Sequence, residues 1–307
     1  MFLVTGCRHL KERVVAKNAP LRRARNEKND EFYTRMIDIK QELPHYKQHF
    51  KRKVVYLNCD DPRISMFWKY FVMRFHILGL KKLVATHVSP NGGRGRCWEY
   101  KGKVDKKGFP KPPKKGFKLN GDGSFDSGEC KVILRQADIV VTNPPFSLMR
   151  AYVVQLMDFK KKFLVVGSPG VMTYKETFPY IKDERIWRGV TAPKKFTTPG
   201  KGELKMGNTK WITNLEHNGR KKENIILTRK YKGNEHAYPK YNDHDAINVD
   251  KVRDIPYDYE GVMGVPENFF RKYNSDQFEI VGIATDNLSI PGRNVFARVF
   301  IRNKHPK

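Results

Sequence analysis

Asn143-Pro144-Pro145-Phe146 sets a carboxamide, two rigid backbone carbonyls and an aromatic ring in four consecutive positions. Such a set suits methyl transfer to an exocyclic amino group. That amine is a poor nucleophile, because its lone pair is delocalised into the ring. The Asn143 carboxamide oxygen and the Pro144 carbonyl can each accept one of its N–H bonds, which favours the tetrahedral nitrogen that attack requires. Pro144 and Pro145 fix the backbone in an extended turn, so the carbonyls are held ready. The Phe146 ring can stack on a base lifted out of its helix. The same four letters also suit a plain strand-to-helix loop in which Asn and Pro only interrupt secondary structure.

The flanking pattern favours the chemical reading. Ala137 to Thr142 is an apolar, β-branched run that predicts a short buried strand. Leu148 to Phe159 follows with helical spacing of Ala151, Val154, Leu156 and Phe159, and Lys162 to Gly167 predicts the next strand. Ligand sites in such α/β units lie at the carboxyl ends of strands. Upstream, Lys53 to Leu57 predicts a first strand that runs into Asn58-Cys59-Asp60-Asp61-Pro62. A helix over Phe67 to Ile77, stopped by Gly79, and a strand over Lys82 to His87 complete a βαβ pattern. Asp30 to about Phe50 is helix-like with Asp30 as N-cap. The expected fold is α/β with a Rossmann-like, mostly parallel sheet and basic insertions.

From Asn91 to Lys118 the pattern stops. Gly92-Gly93-Arg94-Gly95-Arg96 precedes a stretch, 101–118, with eight lysines, one aspartate and three prolines. A solvated loop and a DNA-facing loop both fit, and the two are compatible. The DNA contacts expected here are Arg94, Arg96, Lys101, Lys103, Lys106, Lys107, Lys114 and Lys115, as phosphate contacts with little base readout. Further on, Trp211 to Thr213 and Asn224 to Leu227 resemble strands. Phe278 to Ala284 and Val295 to Ile301 resemble a closing pair. No internal repeat is present.

The 307 residues hold 60 Lys and Arg against 32 Asp and Glu, a formal charge of +28. So large an excess opposes compactness unless a polyanion is the partner, and nucleic acid is the simplest one. An anionic membrane is the competing polyanion, but no apolar stretch approaches a transmembrane length, and Met1 to Leu10 lack a secretory core. Cys7, Cys59, Cys97 and Cys130 are widely spaced, which fits a reducing cytoplasm and argues against structural zinc. His244, between Asp243 and Asp245, reads as a polar turn rather than a metal site. No metal is expected.

The motifs resemble the EcoRI-type adenine-specific DNA methyltransferases. Four landmarks carry the resemblance in order: Asn29 to Thr34, Tyr56 to Pro62, Asp138 to Phe146 and Gly261 to Pro266. It implies S-adenosylmethionine as donor and adenine N6 in duplex DNA as acceptor. Phe32, Tyr33 and Thr34 match the aromatic segment that packs on the methionine part of the donor. Asn58, Cys59, Asp60 and Asp61 take the place of the first-strand cofactor loop, without the glycines common in methyltransferases. Asp60 or Asp61 is the expected partner of the donor's ammonium group, and an Asp-Pro helix-start turn is compatible with that. His87 stands where a ribose-gripping acid is usual. Asp122 is a candidate for the adenine amine, with a plain turn as the equal alternative. The expected division is a basic arm over 1–28, a catalytic and cofactor core over 29–190 with the basic loop 91–118, and a target-recognition segment over 191–307 that also closes the core. A monomer working in the cytoplasm, with a cognate restriction endonuclease as companion, is expected. The rivals are N4-cytosine or RNA amino-methylation, a protein glutamine acceptor, and a catalytically inactive DNA-binding module on the same fold.

Overall fold

The computed structural model describes residues 33–89, 93–198, 202–220, 223–284 and 288–307. Phe32, the basic arm and the Asp30 cap lie outside the described residues. The chain forms two compact units, the first comprising residues up to Thr177 with Gly189–Gly219, the second Phe178–Arg188 with Arg220–Lys307.

The first unit carries β1 (Tyr33–Thr34), α1 (Met36–Glu42), β2 (Val54–Leu57), α2 (Met66–Leu78), β3 (Lys82–His87) and β4 (Arg96–Tyr100). It continues with β5 (Phe117–Lys118), α3 (Gly128–Gln136), β6 (Ile139–Thr142), α4 (Met149–Asp158) and β7 (Lys162–Gly167). The chain then passes through α5 (Phe178–Lys182) and β8 (Trp187–Arg188) of the second unit. It returns to the first with β9 (Lys195–Thr198), β10 (Gly202–Lys205) and β11 (Lys210–Thr213).

Seven of these strands stand in the order β5-β4-β3-β2-β6-β7-β11. The four central strands β3, β2, β6 and β7 are parallel. Every residue of β2 and β6 is buried, as expected where both faces of a sheet are covered. The sheet is mixed rather than mostly parallel, because β4, β5 and β11 run antiparallel to their neighbours. The link from His87 to Arg96 is too short for a crossover, which takes a dozen residues or more, so β4 turns back beside β3. The chain leaves β2 toward β3 on one side and returns to β6 on the other. That puts a topological switch point at the carboxyl ends of β2 and β6.

α2 starts on Ser65, whose Oγ accepts from the Trp68 N–H, and ends on Gly79 in the left-handed conformation at φ 61°. The expected helix over 30–50 is shorter. Tyr33 and Thr34 pair with β9 instead, and Pro44 turns the second half into a 3-10 segment, Leu43–His49. Residues 101–116 are also more ordered than a loop. Val104 bridges Pro110, and the Asp105 carboxylate accepts from the Lys107 and Phe109 N–H groups at 2.8 and 3.0 Å.

Glu42 is fully buried and binds the point where the chain re-enters the first unit. It accepts from the Tyr46 hydroxyl at 2.7 Å, the Val190 and Thr191 N–H groups at 2.8 and 2.6 Å, and the Thr191 hydroxyl at 2.6 Å. Gly189 is required beside it, because a Cβ there would fall on Glu42 Oε1.

In the second unit, β12 (Ile247–Asn248), β13 (Met263–Pro266), β14 (Phe278–Ala284) and β17 (Arg298–Asn303) form a sheet in the order β12-β13-β17-β14. The expected closing pair therefore belongs to this sheet and not to the larger one. β15 (Leu288–Ile290) and β16 (Arg293–Val295) make a separate hairpin. His244 stacks on Phe300 with ring centroids 5.0 Å apart. Asn224 to Leu227 is not a strand: the Gln277 side chain bonds the Ile225 N–H at 2.7 Å and its carbonyl at 2.8 Å, in place of a ladder. Among the described residues no helix is long and apolar enough to cross a membrane.

Candidate active site

A cavity of about 260 Å³ opens at the switch point. That is near the lower end of the roughly 300–1,000 Å³ typical of small-molecule sites. Three loops at the carboxyl ends of β2, β3 and β6 supply Asn58, Cys59, Asp60, Asp61, His87, Asn143 and Pro145 to its wall. β1 adds Tyr33 and Thr34, and the segment before α3 adds Ser124, Phe125 and Asp126. Thus three of the four sequence landmarks converge although they lie far apart in the chain.

Asp60 is the hub of the two central loops. Its Oδ1 accepts from the Ser65 hydroxyl at 2.6 Å and its Oδ2 from the Thr142 hydroxyl at 2.6 Å. The Asn143 N–H bonds it as well. Burial pushes the Asp60 carboxyl up to about 6, against those hydrogen bonds, which pull the other way. The carboxylate joins the β2 loop, the α2 cap and the residue that opens the Asn-Pro-Pro-Phe motif. Asp61 differs. Burial pushes it up, but the Arg63 hydrogen bonds, at 2.6–2.9 Å, and the His87 ring at 3.6 Å outweigh burial and hold it below the usual carboxylate range. Burial pushes the Cys59 thiol well up, so it is neutral at physiological pH.

Asn58 is 1% exposed and takes the Tyr152 hydroxyl on Oδ1. Its Nδ2, and the Thr34 Oγ1, are buried with no hydrogen-bond partner among the described residues. Both residues line the cavity. Buried donors are rarely left unmatched, so a polar ligand fits here.

Phe146 is buried and meets Phe196 edge-on, with centroids 6.2 Å apart. Phe196 pairs with Thr34 across β1 and β9, so the β1 segment and the Asn-Pro-Pro-Phe motif are linked through one residue. Neither Phe146 nor Pro144 is among the cavity-lining residues. Asp122 also stands outside the wall, where its Oδ1 caps a turn by accepting from the Ser124 N–H at 2.9 Å. Asp126, held by the Ser124 hydroxyl at 2.7 Å, lines the cavity instead. Asp126 was passed over in the sequence, although its place next to Ser127, the N-cap of α3, is a signal that could have marked it. The wall contributions of Ser124 and Phe125 had no such signal.

The basic residues divide. Arg94 bonds the Leu119 carbonyl and the Asn120 side chain, and Arg96 bonds the Gly116 carbonyl at 2.9 Å, so both brace the β4–β5 hairpin. Arg96 pairs with His87 at the cavity end of β3. Tyr100 pairs with Leu83 at the other end, so Lys101, Lys103, Lys106 and Lys107 follow from the end remote from the cavity. Lys114 and Lys115 lie on the return toward β5.

An α/β unit with an Asn-Pro-Pro-Phe motif and an acid-lined cavity at its switch point has the layout of an amino-methyltransferase. The family model for "Adenine-specific methyltransferase EcoRI" matches residues 20–304. The chain belongs to that family and is an adenine-specific methyltransferase. It is 43% identical over 321 residues to Type II methyltransferase M.EcoRI of Escherichia coli, covering 94% of this chain and 98% of the relative. It is 41% identical over 278 residues to Type II methyltransferase M.MpnI of Mycoplasma pneumoniae, covering 84% of each. A third relative, M.MgeORF184P of Mycoplasma genitalium, is 36% identical over 280 residues, again 84% of each. There is no significant match among solved structures.

Proposed function

We propose that the chain transfers a methyl group from S-adenosylmethionine to N6 of an adenine flipped out of duplex DNA. The observation that carries this reading is the convergence of Tyr33, Thr34, Asn58 to Asp61, Asn143 and Pro145 on one cavity. The donor, when bound, supplies an electrophilic sulfonium methyl. The four parallel strands act as the Rossmann-like part of the sheet. The two unmatched buried groups, Thr34 Oγ1 and Asn58 Nδ2, are suited to its polar parts. Asp61, held ionised by Arg63 and His87, is the acid for its ammonium group, and Asp126 takes the role expected of Asp122. Asp60 is a positioning residue: burial favours its neutral form and its oxygens order Ser65 and Thr142, whereas Asp61, though bonded to Arg63, stays ionised.

At the acceptor, the Asn143 carboxamide and the Pro144 carbonyl accept from N6 and hold it in line for attack. Proximity of this kind supplies much of the rate without a covalent intermediate. Phe146 stacks on the base, and Phe196 fixes the plane of its ring. The Type II names of the relatives suggest a restriction endonuclease with the same target sequence.

The test is to incubate the chain with mixed duplex DNA and labelled donor and to map the product by long-read sequencing. N6-methyladenine in one sequence context is expected. Methylated cytosine N4, or no label despite donor binding, would overturn the reading.

A further inference from the structure

The lysine-rich arm between β4 and β5 leaves the sheet at the wrong end to serve the cavity. The register sets Arg96 opposite His87, at the carboxyl end of β3, and Tyr100 opposite Leu83, at the amino end. At about 3.3 Å per residue the two ends are roughly 13 Å apart. The base of the arm is fixed at the amino end. The Gly102 carbonyl bonds the His76 ring at 2.9 Å, in the last turn of α2. Gly102 has φ +82°, and a Cβ there would lie 2.7 Å from the Phe75 ring. The Tyr100 hydroxyl donates to the Lys103 carbonyl at 2.8 Å, and the Lys111 N–H donates to the same carbonyl at 2.8 Å.

Beyond that base the arm is a short rigid hairpin with one kind of charge. Every lysine from Lys101 to Lys115 is exposed. Its one acid, Asp105, is engaged in the turn and binds backbone N–H groups. At the tip Phe109 is 64% exposed, an apolar ring among lysines.

We propose that this arm binds duplex DNA at a second surface, holding a different segment from the one that gives its base to the cavity. The inference rests on the reading of duplex DNA as substrate. A duplex that serves the cavity lies across the carboxyl ends of the strands. To reach the arm as well it would have to turn round the sheet. Bending a duplex that sharply costs elastic energy that a straight duplex does not store. Lysines contact phosphate as point charges with little geometric demand, so the arm fits any DNA sequence. Phe109 can lie against sugars or bases at the same contact. A chain that holds two segments can pass from one to the other without release, which speeds the search for a target.

The test is the stoichiometry of the full chain with a 16-base-pair duplex in low salt, by sedimentation and calorimetry. The wild type is expected to saturate at two duplexes per chain. Replacing Lys103, Lys106, Lys107 and Lys111 by Gln should reduce this to one. The salt slope of the weaker event should be roughly 0.9 per phosphate contact, so up to about four for these lysines. Phe109→Trp gives an independent readout, with quenching expected during the second equivalent. The proposal is overturned if the wild type saturates at one duplex. It is equally overturned if the lysine variant still binds two, or if the variant loses the tighter event, which would join the arm to the cavity's DNA. Two-duplex binding without adenine methylation would sink the catalytic reading and leave this one standing.

Discussion

On the proposed mechanism, Asn143 is the residue whose replacement should separate catalysis from binding. Its carboxamide is needed most as the nitrogen becomes tetrahedral, which is transition-state rather than uniform binding. Asn143→Ala should lower kcat by about 10²–10³, the usual cost of one preorganised hydrogen-bonding group, with DNA and donor affinity within several-fold. Single-turnover kinetics check this, and near-normal turnover would remove Asn143 from the mechanism. Asp60 adds a pH dependence. It braces Thr142 and Asn143 through acceptor oxygens, so its ionised form is the one that holds the motif. The rate of methylation should therefore fall with an apparent pKa of about 6 as pH drops. Asp60→Asn should flatten that limb while lowering kcat. The stability effect runs the other way. The folded value lies above the unfolded 3.8, so the contribution from protonated Asp60 is complete below about 4 and lost as pH rises through about 6. Denaturant titrations should show the wild type losing stability relative to Asp60→Asn over that window.

At the level of elements, Glu42 ties α1 to the returning chain through three donors of Val190 and Thr191, with the Tyr46 hydroxyl as a fourth on the same buried carboxylate. Glu42→Gln puts an NH₂ group against N–H donors and should cost about 3 kcal/mol, since hydrogen bonds to a charged group are worth roughly 1.5–3 kcal/mol each. Gly189→Ala should cost a similar amount by displacing the same carboxylate. Both are read as falls in Tm against a wild-type control. The parallel strands and their helices were legible because an apolar run with both faces buried and a helix stopped by Gly79 are local signals. Residues 103–111 were not, because a hairpin stapled by one aspartate has the composition of a solvated loop. Asn224 to Leu227 has the letters of a strand, but its partner is the side chain of Gln277, which no periodicity reports. The site was legible as to which loops meet. Which acid does what was not, since Asp60, Asp61, Asp122 and Asp126 differ only in the partners that folding brings to them.

Across the whole molecule, the +28 charge works against compaction in dilute salt, and bound polyanion relieves it. A short duplex of random sequence should raise Tm, with a gain of about 2.7 kcal/mol at a hundred times its Kd. The gain should vanish toward 1 M salt, where the screening length is about 3 Å. A Tm shift that persists at that salt would mean that phosphate charge is not what the excess lysine and arginine serve. The two units are interleaved in sequence, since Phe178–Arg188 is spent on the second before the first is complete. Neither can be cut out as one continuous stretch.

Interleaving also sets a clock. The Glu42 carboxylate meets Thr191 across 149 positions of chain. At about 5–20 residues per second, a ribosome needs roughly 7–30 s to supply the second partner after the first. Through that interval α1 emerges with an uncovered, hydrated carboxylate at a place that later excludes water. All four parallel strands therefore leave the ribosome before the chain can close over Glu42.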